Sequence, residues 1–132
     1  MLTVLEHDGP QGVARDMMPG LIGATTRAGN PDVEETLRLL IKRQSPAAIL
    51  DAIVRMMERP DSMALLPTIQ VPTLVIVGDE DTLTPPADAE AMAAALPQAS
   101  LVRIAGAGHM VNLEQGQAFE ASIDDFLASL PA

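Results

Sequence analysis

Residues 71–109 read VPTLVIVGDEDTLTPPADAEAMAAALPQASLVRIAGAGH, and this stretch narrows what the chain can fold into more than any other. Thr73-Leu74-Val75-Ile76-Val77 is a continuous apolar run, rich in β-branched residues and bounded by Pro72 and Gly78. Such a run predicts a strand buried on both faces. Thr84-Pro85-Pro86 opens a helix whose Ala89, Met92, Ala93 and Leu96 share one face, and Pro97 stops it. Leu101-Val102-Arg103-Ile104 predicts a second strand. Strand, helix and strand in so short a span make a βαβ unit, with parallel strands and a right-handed crossover. Both polar loops then fall at the carboxyl ends of the strands, the edge at which open α/β sheets bind ligands. The first loop, Gly78-Asp79-Glu80-Asp81, carries acids, and the second, Gly106-Ala107-Gly108-His109, ends in a histidine. A histidine base needs a carboxylate on its other ring nitrogen to fix the tautomer and stabilise the imidazolium. Adjacent strand ends can supply that pairing.

The chain before this unit reads differently. Leu2, Val4 and Leu5 fit either a strand or a first helical turn, and Gly9-Pro10 interrupts whichever forms. Gln11 to Met18 predicts a short helix, and Leu21 to Gly29 a connection. Asn30-Pro31 and Ser45-Pro46 both pair an N-cap residue with proline at the first helical position. Val33, Leu37, Leu40 and Ile41 give the first of these helices an apolar face, and Ile49, Ile53, Met56 and Met57 the second. Asp61 caps a further short helix through Leu66. The expected division is therefore 1–68, a helical segment, and 69–132, a β-α-β-α segment. Its closing helix covers about 115–130, with Phe119, Ile123, Phe126, Leu127 and Leu130 inward.

Composition removes several classes of function. The net charge of −10, from 18 acidic and 8 basic residues, would repel a phosphate backbone or an anionic bilayer, so neither nucleic acid nor membrane is expected as a partner. Without cysteine there is no thiolate metal site, disulfide or cysteine nucleophile. Asp79, Glu80, Asp81 and His109 lack any accompanying ligand motif, so no metal and no cofactor is expected. The N-terminal residues show no secretory leader, which makes the cytoplasm the default location. His7, beside Asp8, reads as a surface histidine.

VPTLVIVGDEDTLTPP, an amphipathic helix, LVRIAGAGHMVNLEQ and a closing amphipathic helix together resemble the C-terminal half of an α/β-hydrolase of esterase or lactonase type. The resemblance spans roughly residues 10–130 and is strongest over 69–127. It implies that Asp81, third after Gly78, is a triad acid, that His109 is the triad base, and that the helices of 10–66 form a cap over the substrate. Asp79 does not match the family's acid position. The implied fold class is α/β: a partial α/β-hydrolase fold, with helical cap and two parallel strands.

The sequence departs from that family where its chemistry begins. The elbow Gly-x-Ser-x-Gly is absent: Ser45, Ser62, Ser100, Ser122 and Ser129 all lack the flanking glycines, and no HGGG-type oxyanion loop is present. Two parallel strands with open edges are also not a stable unit by themselves. The sheet is expected to be completed by a second copy of the chain, by an N-terminal half on another polypeptide, or by Leu2–Leu5 added as a strand. Two functional expectations follow. In one, the chain supplies acid and base to a serine hydrolase acting on a small carboxylic ester or lactone. In the other, it is a catalytically inactive truncated remnant stabilised by oligomerisation.

Overall fold

The computed structural model describes residues 1–131. Strand β1 (Thr73–Gly78) and strand β2 (Ala99–Ile104) run parallel in register, with Thr73 opposite Ala99 and Gly78 opposite Ile104. They form a two-stranded sheet, and among the described residues no other strand joins either edge. The N-terminal residues do not complete it. Leu2–Leu21 is helix α1, and Leu2–Leu5 form its first turn rather than a strand. Gly9 breaks that helix with φ +62° and ψ −159°, a backbone conformation open to glycine, and Pro10 restarts it.

Helix α2 (Ala24–Gly29) occupies part of the stretch expected to be a connection. Helices α3 (Pro31–Lys42) and α4 (Pro46–Glu58) begin at the two proline positions. Ser45 accepts a hydrogen bond from the Ala48 amide at 3.1 Å, a cap worth about 1 kcal/mol. Asn30 occupies the same position for α3 without a side-chain cap bond. Asp61 accepts from the Met63 amide at 2.9 Å and starts a single 3-10 stretch, Met63–Thr68, that includes Pro67 rather than ending at it. Helix α1 packs on α3 and α4. Met18, Leu21, Ile22 and Leu37 form a core cluster there, and Met110 and Leu113 reach it from the other side.

Helix α5 (Pro86–Ala95) links the strands, and α6 (Val111–Glu114) and α7 (Gly116–Ser129) close the chain. Helices α5 and α7 both pack on β1 and β2. Ile104, Ala107 and Val111 form a second core cluster, with Ile76, Val102 and Phe119 against it.

Burial departs from expectation where elements have no neighbour. Only Val77 and Gly78 of β1 are buried, while Thr73 to Ile76 are half-covered because one edge of the strand carries no partner. Leu40, Met56, Met57 and Leu127, placed inward from their spacing, are all exposed, Met57 at 73%. Met17 and Met18, in contrast, belong to the helical core.

Candidate active site

Two loops build the site, one from each strand end. Residues 79–85 follow β1 and residues 105–110 follow β2, and backbone bonds zip them together: Asp79 N–H to the Ile104 carbonyl at 3.0 Å and Glu80 N–H to the Ala107 carbonyl at 2.9 Å. The loops approach so closely at Gly78 that a Cβ there would overlap the carbonyl oxygens of Ala107 and Gly108. Gly106, at φ +68°, turns the second loop back on itself.

The approach brings Asp81 and His109 into contact. His109 Nδ1 lies 2.9 Å from Asp81 Oδ2. The Asp81 side chain is 4% exposed and that of His109 34%, so the acid is enclosed while the ring retains a solvent-facing part. Asp81 Oδ1 accepts from the amides of Leu83 and Thr84, both at 2.9 Å. Its Oδ2 also accepts from the Thr84 hydroxyl at 2.9 Å. Burial alone would raise the Asp81 pKa; the bonds from the Thr84 amide, His109, the Thr84 hydroxyl and the Leu83 amide together outweigh it and hold the carboxyl below its ordinary range. An ionised Asp81 accepts the Nδ1–H of His109, which leaves Nε2 with the lone pair that a base requires.

The remaining acids of the first loop have different partners. Asp79 Oδ1 accepts from the Gly106 amide at 2.8 Å, which pins the histidine loop to the strand end. Glu80 accepts from both the hydroxyl and the amide of Thr25, the latter at 2.8 Å. These bonds, the hydroxyl's foremost, lower its pKa.

Three further residues of the site carry no recognisable motif in the sequence. The Thr84 hydroxyl sits 3.1 Å from His109 Nδ1 as well as on Asp81. Glu114 is only 8% exposed and accepts from three backbone amides, Gly23 at 2.7 Å, Gly108 at 2.9 Å and Met110 at 3.1 Å. Gln115 donates to the Gly106 carbonyl at 3.4 Å. In the sequence Thr84 reads as part of a helix start and Gln115 as the first residue of the last helix. The one available signal for Glu114 is its place five residues beyond His109, directly after Leu113.

A cavity of about 120 Å³ opens beside the pair, bounded by Ile76, Asp81, Thr84, Asp88, Met92 and His109. No cluster of three or more His, Cys, Asp or Glu with metal-binding geometry occurs among the described residues. The five serines lie elsewhere in function: Ser45 caps α4, Ser62, Ser122 and Ser129 donate to nearby backbone carbonyls, and Ser100 lies in β2 opposite Leu74. Among the described residues no helix is long and apolar enough to cross a membrane.

Comparison with known proteins bears on the fold that carries this pair. Residues 40–115 match the family model of the alpha/beta hydrolase fold. The chain is 37% identical to a thermophilic esterase from Thermogutta terrifontis of known structure, with a TM-score of 0.91 over 96% of this chain and 47% of that one. It is 33% identical over 108 residues to the pimeloyl-(acyl-carrier protein) methyl ester esterase of Stenotrophomonas maltophilia, covering 77% of this chain and 41% of the relative. A 78-residue stretch is 47% identical to part of the polyketide synthase ThaQ of Burkholderia thailandensis, covering 59% of this chain and 4% of that protein. The chain thus spans less than half the length of each of these relatives. The sheet-edge pairing of Asp81 with His109, the family match and the 0.91 superposition have one meaning: the chain belongs to the α/β-hydrolase fold family and carries part of that fold.

Proposed function

We propose that this chain supplies the acid and base of an ester-hydrolysing site, Asp81 orienting His109 and His109 Nε2 taking the proton of a nucleophile. The observation that carries this reading is the 2.9 Å contact between His109 Nδ1 and a buried, ionised Asp81 carboxylate. In a hydrolytic cycle His109 would accept the hydroxyl proton as the nucleophile attacks the acyl carbon, then return it to the departing alcohol. The substrate class is a small carboxylic ester, or its cyclic form, a lactone. Support for an ester comes from two relatives named as esterases.

The nucleophile and the oxyanion donors are not among these 132 residues on this reading, since no serine has the elbow sequence. They would come from a segment seated along the open edge of β1, either on a second copy of the chain or on another polypeptide. Helices α1 to α4 would then act as the cap over the cleft. The exposed apolar side chains Met56, Met57, Leu65 and Val71 favour a covered surface, and with it an assembly over an isolated chain.

Hydrolysis of short-chain p-nitrophenyl esters by the wild type, His109→Ala and Asp81→Asn tests the reading, with a fluorophosphonate probe reporting any activated serine. Turnover abolished in His109→Ala and strongly reduced in Asp81→Asn is the expected result. Turnover equal in all three, or none in any, leaves the acid and base without a catalytic role and favours the inactive, self-associating form. Light scattering that finds only a cooperatively folded monomer would remove the assembly.

A further inference from the structure

We propose that Glu114 is a positioning residue for His109 and couples it to the helical segment through Gly23. The inference rests on the reading of His109 as a base and adds to it the group that sets the ring. Glu114 is a buried carboxylate whose hydrogen bonds all come from backbone amides. Burying such a charge is unfavourable unless several donors meet it, and the donors here surround one residue. Oε1 accepts from Gly108 at 2.9 Å and from Met110 at 3.1 Å. These are the N–H groups of the residues immediately before and after His109. A single oxygen therefore ties the N–H groups of both neighbouring residues to one point, bracketing the backbone of His109 and with it the direction in which the imidazole leaves the chain.

The other oxygen reaches outward. Oε2 accepts from the Gly23 amide at 2.7 Å, across 91 positions of sequence. Gly23 and Gly108 abut so tightly that a Cβ on Gly108 would overlap the Gly23 nitrogen. Met110 N–H also donates to the Leu21 carbonyl at 3.1 Å. Two residues further along, Thr25 is held by Glu80, the neighbour of Asp81. The acid loop and the base loop are thus both fastened to the same short segment, 21–25, where α1 gives way to α2. A displacement of that joint would reach His109 through Glu114.

The test reads the imidazole directly and needs no substrate. Two-bond and three-bond ¹H–¹⁵N correlation spectra of the full 132-residue chain report the His109 tautomer, and amide exchange in β1 and β2 reports the fold. The wild type is expected to carry its proton on Nδ1. In Glu114→Ala that preference is lost toward the Nε2–H form of a free histidine, with strand protection retained. In Glu114→Gln, whose amide oxygen can still accept from Gly108 and Met110, the Nδ1–H form returns at least in part. An unchanged tautomer in Glu114→Ala overturns the proposal. Loss of strand protection in both variants overturns it too, since Glu114 would then support the fold as a whole. A wild type without the Nδ1–H form overturns the acid–base reading itself, which distinguishes that failure from a failure of Glu114 alone.

Discussion

Asp79 and Gly106, one at the end of each strand, are joined by a hydrogen bond of 2.8 Å from the glycine amide to the aspartate Oδ1. The bond divides labour within the Gly78-Asp79-Glu80-Asp81 loop. Asp79 holds the partner loop, Glu80 holds Thr25, and Asp81 alone faces the histidine. Three acids in a row (Asp79, Glu80, Asp81) thus carry three separate structural tasks.

Asp79→Ala removes one charge-assisted bond at an exposed position and is expected to cost about 1 kcal/mol. Asp79→Asn keeps an oxygen for the Gly106 amide and should lose less. Urea denaturation of both variants checks the ordering, and an alanine variant as stable as wild type would show that the tie contributes nothing measurable.

Acid should weaken the protein in a defined window. The Asp81 pKa is depressed below its ordinary value of 3.8 in the folded chain, so the unfolded chain binds the proton more readily. The stability it contributes is complete above 3.8 and is lost as pH falls from there through the lower folded value. Glu80 acts in the same sense from its ordinary 4.5. Denaturation midpoints of wild type and Asp81→Asn are expected to differ at pH 7 and to draw together as pH falls below 3.8 toward the lower folded value. A gap that stays constant across this range would contradict the assignment.

How far this could be seen in the sequence depended on whether an element is made by its own residues or by remote ones. The βαβ unit was legible because the 73–77 run, the proline-opened helix and the 101–104 run each declare themselves locally. Asp81 and His109 were legible as a pair because parallel strands leave only one edge for both. Helix α2 was not, since ATTRAG has two threonines and a terminal glycine, and amides near its start meet Glu114 and Glu80 from far along the chain. Glu114 was hidden for the same reason: an acid in a short helix looks solvated until its amide partners are known. The expected two-sided burial of β1 failed because it depends on neighbours that local pattern cannot supply.

Thr84 tunes the acid, and an isosteric change isolates its hydroxyl. Thr84→Val keeps the shape and removes one donor from Asp81 Oδ2. The Asp81 pKa should rise toward the ordinary carboxylate range, and stability should fall by about 1 kcal/mol. Carboxyl ¹³C shifts followed against pH measure the first, and denaturation the second. An Asp81 titration identical to wild type would remove Thr84 from the site.

Glycines at two positions offer an internal contrast. A Cβ at Gly78 would overlap the carbonyl oxygens of Ala107 and Gly108, backbone atoms that cannot give way without opening the two loops. A Cβ at Gly20, in the last turn of α1, meets nothing within 4 Å. Gly78→Ala is therefore expected to destabilise by about 1–3 kcal/mol and to lengthen the approach of His109 to Asp81. Gly20→Ala, which removes only the entropic cost of glycine in a helix, should gain up to about 1 kcal/mol. Thermal melts compare the two directly. Equal effects in the same direction would mean that the close approach of the strand end to the histidine loop is not what Gly78 provides.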